Sequence, residues 1–160
     1  MENNEELIRR FYTAFQALNY QEMQGAYHND AEFSDPVFGT LKSSEVKAMW
    51  KMLLTRSKDL KIAFSNVQAT ETTGKCHWEA WYTFSKTGRP VHNIISASFE
   101  FKDGQIYRHH DTFSLWRWSR QALGPTGLLL GWTPWIQEKV KVTARKSLSA
   151  YRGKQVIGDR

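Results

Sequence analysis

The chain has 160 residues, 41% of them hydrophobic and 14% aromatic with seven Trp, which is the size and apolar content of one domain with a single core and excludes a disordered chain. The net charge of +6 is concentrated at the end: residues 138–160 hold seven Lys/Arg against Glu138 and Asp159, and the remainder is close to neutral, which argues for a solvated basic face rather than a nucleic-acid footprint. There is no 18-residue apolar run, hence no integral membrane segment, and the acidic start MENNEELIRR is unlike a signal peptide, so the chain reads as a mature cytoplasmic protein.

From Glu5 to Leu18 the apolar residues Leu7, Ile8, Phe11, Tyr12, Phe15 and Leu18 recur at spacings of three and four, which predicts a helix with one buried face. Asn19 breaks it, and Gln21–Tyr27 reads as a second, short helix with Met23, Ala26 and Tyr27 turned inward. Asp30–Phe33 reads as a short strand. Pro36 ends that strand and holds Asp35 in an extended conformation, because the proline ring crowds the residue before it out of the α region.

After a turn at Phe38-Gly39-Thr40, Ser43 or Ser44 is positioned to cap a third helix that runs to Arg56. The period then changes from 3.6 to 2. Residues 60–71, 75–86, 90–102 and 105–115 read as four strands, and Asp103-Gly104 is the clearest hairpin signal among their turns. The single Cys76 falls in the second of these strands and has no disulfide partner.

Beyond Trp118 the pattern is irregular through Gly124-Pro-Thr-Gly127, the triplet Leu128-Leu129-Leu130 and Gly131-Trp-Thr-Pro134. Ile136, Val140, Ala144, Leu148 and Tyr151 then mark a basic amphipathic helix. For the apolar segment three roles are open, ranked as lid, dimer patch and membrane-surface contact. Trp116 and Trp118 are assigned to a sheet edge or a subunit contact rather than to base stacking. Three helices followed by an antiparallel run predict an α+β domain whose helices cover one concave sheet face, with residues 1–119 as the domain proper and 120–160 as its extension.

The Phe-Tyr-x-x-Phe helix, Tyr27-His-Asn-Asp-Ala31, Phe33-Ser-Asp-Pro36, Lys86-Thr-Gly88, Phe101-Lys-Asp-Gly104-Gln-Ile106 and Asp111 together resemble the ketosteroid-isomerase-like and SnoaL-like proteins of the nuclear transport factor 2-like superfamily. The resemblance covers residues 5 to about 115. It implies a cone-shaped barrel in which a curved, mixed or antiparallel sheet wraps three N-terminal helices, with the C-terminal helical segment as an addition. It also implies a pocket for a small apolar molecule and a homodimer.

In the isomerases an Asp in the Asp-Pro position shuttles a proton, assisted by a Tyr and a protonated Asp; that enzyme is a standard case of a carboxylic acid held neutral. Here the Asp is Asp35, but the donor positions hold Phe11 and Ala97, with Tyr12 one residue around the helix from the first. Loss of a donor aimed at a developing oxyanion typically costs about 10²–10³ in rate. Similarity to the limonene-epoxide hydrolases retains Asp111 alone, since Phe33, Asp35, Trp78 and Ala80 stand at the other catalytic positions.

Alternation along the last strand puts His109, Asp111 and Phe113 on one face, and the resemblance turns that face inward. Asp35 and Asp111 are then expected in one cavity walled by Phe11, Phe15, Trp50, Trp78, Tyr82, Ile95 and Phe113, where burial and mutual repulsion raise at least one carboxyl toward neutral pH. Asp35, Asp111, His109 and Tyr12 are the candidate acid–base groups, against the plain alternative that Asp35 only caps a turn. No metal-ligand spacing, phosphate loop or nucleophile elbow is present, and no cofactor is implied.

Overall fold

The computed structural model describes residues 1–158, with side chains through residue 154. Helix α1 (Asn4–Gln16) is opened by a reciprocal cap, in which the Asn3 side chain accepts from the Glu6 N–H and the Glu6 carboxylate accepts from the Asn3 N–H. It buries the predicted stripe of Leu7, Ile8, Phe11, Tyr12 and Phe15. Helix α2 (Tyr20–Gly25) is capped by Asn19.

The chain enters strand β1 (Tyr27–Asp35) two residues after α2. This corrects the sequence reading twice: the strand has nine residues rather than four, and Tyr27 belongs to it rather than to the helix. Tyr27, Ala31 and Phe33 face the core, a period-2 pattern that the adjacent helical residues had masked. Residues Gly39–Lys42, read as turn and linker, form a further strand, β2, whose hairpin with β1 closes at the Asp35–Gly39 pair.

Helix α3 (Ser43–Arg56) follows, and neither serine caps it by its side chain: the Glu45 carboxylate accepts the Lys42 N–H, and the Ser43 hydroxyl donates to the His28 carbonyl. Strands β3 (Lys61–Ala69), β4 (Thr73–Phe84), β5 (Arg89–Lys102) and β6 (Gln105–Thr112) make the expected antiparallel run. The sheet order is β2-β1-β6-β5-β4-β3, with β1 and β6 parallel, so the sheet is mixed. A bulge opposite Glu100–Phe101 shifts β6 by one residue, so that Ile106, His109 and Asp111 all point into the core.

The stretch read as irregular after the sheet is helical, forming α4 (Leu115–Leu123) and α5 (Pro125–Leu130), and the predicted basic helix follows as α6 (Pro134–Gly158). Leu115, Trp118 and Ala122 of α4 form a second apolar cluster with Val91, onto which Val37, Tyr82, Phe113 and Val140 pack from the main domain and α6. Trp118 is therefore interior, and its indole N–H donates to the Tyr82 hydroxyl at 2.7 Å.

Helix α6 buries Ile136 and Leu148, and its Arg145 donates to the carbonyls of Phe38 and Thr40 in the β1–β2 hairpin. No helix among the described residues is long and apolar enough to cross a membrane.

Candidate acid–base site

A line of hydrogen bonds crosses the core. Trp50 Nε1 lies 2.9 Å from the Tyr27 hydroxyl, that hydroxyl 2.8 Å from His109 Nδ1, and His109 Nε2 2.9 Å from Asp111 Oδ1. Trp78 Nε1 reaches the same carboxylate oxygen at 3.4 Å.

The order of donors follows from the ends. An indole N–H can only donate, so the Tyr27 oxygen accepts from Trp50 and its own O–H is left for His109 Nδ1. The imidazole proton then sits on Nε2 and is donated to Asp111. The His109 ring is held between aromatic faces as well, 5.0 Å from Phe33 and 4.5 Å from Phe99 between centroids.

Among these residues, Tyr27 was missed in the sequence because it was placed at a helix end. Its burial pushes the phenol well above its ordinary range, with the Asp111 charge adding to the effect and the Trp50 N–H opposing it.

Tyr12 is fully buried beside this line, and its hydroxyl has no hydrogen-bond partner among the described residues. Burial first, and the Asp111 charge second, hold its proton on. The two isomerase donor positions are as apolar in space as in sequence. Phe11 packs edge-on against Tyr27, Trp50 and His109, while Ala97 sits directly across the strand pair from Asp111.

The residues expected to wall a cavity do converge, but as packed core: Phe11, Phe15, Trp50, Trp78 and Ile95 belong to the main buried cluster. Tyr82 and Phe113 are partly buried where that cluster meets α4.

Asp35 lies away from the buried line, two residues before Val37 of the second cluster and within reach of Tyr82. It ends β1, and its Oδ1 accepts the N–H of Val37, at 2.9 Å, and of Phe38. It is thus the turn cap of the plain reading, with one oxygen used. Among the described residues Oδ2 makes no hydrogen bond. Burial, opposed by the two N–H bonds and reinforced by the Asp111 charge, pushes the Asp35 carboxyl up to about 7.

Asp111 turns inward, and its charge reaches Asp35, but the two carboxylates do not share one open cavity. Asp111 is only 2% exposed and is closed off from solvent that Asp35 still meets. Cys76 is a buried strand residue whose thiol is pushed up by burial to about 12, which removes it as a nucleophile.

The sequence profile of the SnoaL-like domain matches residues 8–109, from α1 to the His109 of the buried line. No curated protein matches the chain. Among solved structures, the chain is similar to a Catenulispora acidiphila protein with a ketosteroid isomerase-like fold, in complex with trimethylamine (TM-score 0.66, 12% identity, covering 83% of this chain and 100% of that one).

It is also similar to an LEH-like epoxide hydrolase of M. tuberculosis (TM-score 0.63, 16% identity, 81% and 96%) and to TerC co-crystallised with polyporic acid (TM-score 0.58, 19% identity, 68% and 89%). At these identities the likeness is one of fold. With the profile spanning α1 through most of β6 and the cone of these structures reproduced, the chain belongs to the SnoaL-like family of the nuclear transport factor 2-like superfamily.

Proposed function

We propose that this SnoaL-like protein binds a small apolar molecule at the junction of Tyr82, Phe113 and α4, and exchanges a proton with it through Asp35. The observation that carries the reading is the state of the Asp35 carboxylate. Oδ1 is fixed by two backbone N–H groups, Oδ2 makes no hydrogen bond among the described residues, and the apolar Val37 and Tyr82 lie beside the group. A carboxyl pushed up to about 7 is near the optimum for an acid–base group at neutral pH.

Asp111 acts on this site through its charge, and His109 and Trp78 hold Asp111 in place, so both Asp111 and His109 are positioning residues. Tyr12, fully buried in the main core and away from this junction, takes no part in the proposed step. The reaction class is removal of an acidic C–H proton to Asp35 Oδ2 and its return to carbon. That an LEH-like epoxide hydrolase and TerC, co-crystallised with polyporic acid, share the fold is consistent with a small organic ligand.

The closed packing of Phe11, Phe15, Trp50, Trp78 and Ile95 favours a second reading, a binding module without turnover. Deuterium wash-in from D₂O separates the two, with a β,γ-unsaturated cyclohexenone and a hydroxyquinone as probes. The wild type should accelerate exchange at carbon, and Asp35→Asn should lower that rate about a hundredfold or more with probe affinity retained. Equal exchange by both proteins removes Asp35 from the chemistry, and binding without exchange by either supports the module.

A further inference from the structure

Helix α5 is built inside out. Its inner face is glycine: a Cβ on Gly127 would lie 1.9 Å from the Ser119 carbonyl oxygen of α4, and one on Gly131 would lie 2.4 Å from the Gly127 carbonyl oxygen. This close approach turns Leu128, Leu129 and Leu130 outward, where they are 41–69% exposed beside Trp132 and Trp135 at 65% and 66%. Burial in the protein's own core does not account for three leucines on the solvent side of a helix whose packed side is glycine.

The backbone of the same tip is already prepared for loss of water. The Leu128 carbonyl accepts from Trp116 Nε1 and the Leu129 carbonyl from Trp132 Nε1. The Leu130 carbonyl accepts from the Thr133 N–H and hydroxyl, and the Gly131 carbonyl from Gln137 Nε2. Carbonyls at a helix end are ordinarily left to water. With side chains in that role, transfer of the tip into an apolar medium strands few polar groups.

The surroundings are strongly basic. Between Leu115 and Lys154 there are eight Lys/Arg and a single acidic residue, Glu138. Arg120 lies over the Trp116 ring at 4.7 Å and Lys139 over the Trp135 ring at 5.6 Å, so each of these tryptophans carries a cation beside it.

We propose that the α4–α5–α6 tip docks on an anionic lipid bilayer surface, with Leu128–Leu130, Trp132 and Trp135 seated among the acyl chains and the flanking Lys/Arg on the headgroups. A second copy of the chain is a poorer occupant, since two such tips would bring like charge to like. The proposal is independent of the acid–base reading of Asp35.

The test is flotation of the whole chain with phosphatidylcholine vesicles, with and without phosphatidylglycerol, together with quenching of tryptophan fluorescence by brominated lipid. Binding to the anionic vesicles should exceed binding to the neutral ones by about tenfold and weaken with salt. Leu129→Glu, at a side chain mostly in water, should lower it by about tenfold or more with an unchanged melting temperature. Lys139→Glu with Lys146→Glu should remove the preference for anionic lipid.

Absence of flotation with either vesicle overturns the proposal. So does flotation unaffected by Leu129→Glu, or a concentration-dependent dimer that Leu129→Glu dissolves, which would assign the tip to a second copy.

Discussion

His109 and Asp111, two residues apart on β6, are joined inside the core by a 2.9 Å hydrogen bond from Nε2 to Oδ1, and its direction is set by Trp50 through Tyr27. The relationship uses both ring nitrogens, so the histidine has one orientation and one tautomer. In ¹⁵N spectra the proton of the neutral ring should be found on Nε2. A proton on Nδ1 would reverse the donor order along the line.

Tyr27→Phe leaves the Trp50 N–H and His109 Nδ1 without partners in a region closed to water. Urea unfolding should show a loss of about 1–3 kcal/mol for each stranded group. A variant within a few tenths of wild type would mean that water replaces the hydroxyl.

The charge of Asp111 is one cause of the raised carboxyl at Asp35. Asp111→Asn retains an acceptor oxygen for His109 and Trp78 but removes that charge. The titration midpoint of Asp35 should therefore fall, although nothing near it has been altered. An unmoved midpoint would leave burial as the sole cause.

Linkage gives the sign of the pH dependence. The folded-state pKa of Asp35, about 7, lies above the ordinary carboxylate value of 3.8, so the folded chain binds the proton more tightly than the unfolded one. The stability from this group is present at low pH and is lost as pH rises through that window. Asp35→Asn should flatten the decline and melt higher than wild type at about pH 8, by on the order of 1–2 kcal/mol once partial exposure is discounted. Asp35→Ala, which removes the acceptor for Val37 and Phe38, should be less stable than Asp35→Asn at every pH.

Gly127→Ala tests the packing that turns the leucines outward. A methyl group placed 1.9 Å from the Ser119 oxygen has to push α5 off α4, and thermal melts should show a cost of about 1–3 kcal/mol.

Most of the cone was legible in the sequence because its signals are local: the stripe from Leu7 to Phe15, the Asp103-Gly104 turn, and the alternation that sends His109 and Asp111 inward despite a bulge at the strand's start. Strand β1 was cut short because Tyr27 and Ala26 complete a helical spacing with Met23, and tertiary pairing with β6 outweighed it. The helices α4 and α5 were hidden because Gly124, Gly127 and Gly131 read as loop punctuation, whereas two of them mark close helix contact.

The wall residues were identified as a group, but periodicity reports which side chains face inward and not whether they leave a void. Asp35 was found by its Asp-Pro setting. Its two backbone bonds depend on a hairpin that sequence patterning did not reveal.

The most direct test of the account is a ¹³C carboxyl titration of Asp35 in the wild-type chain. A midpoint near 7 is the result predicted from its burial and the Asp111 charge. A midpoint at or below the ordinary 3.8 would make Asp35 a turn cap alone and contradict its assignment as the proton-transfer group.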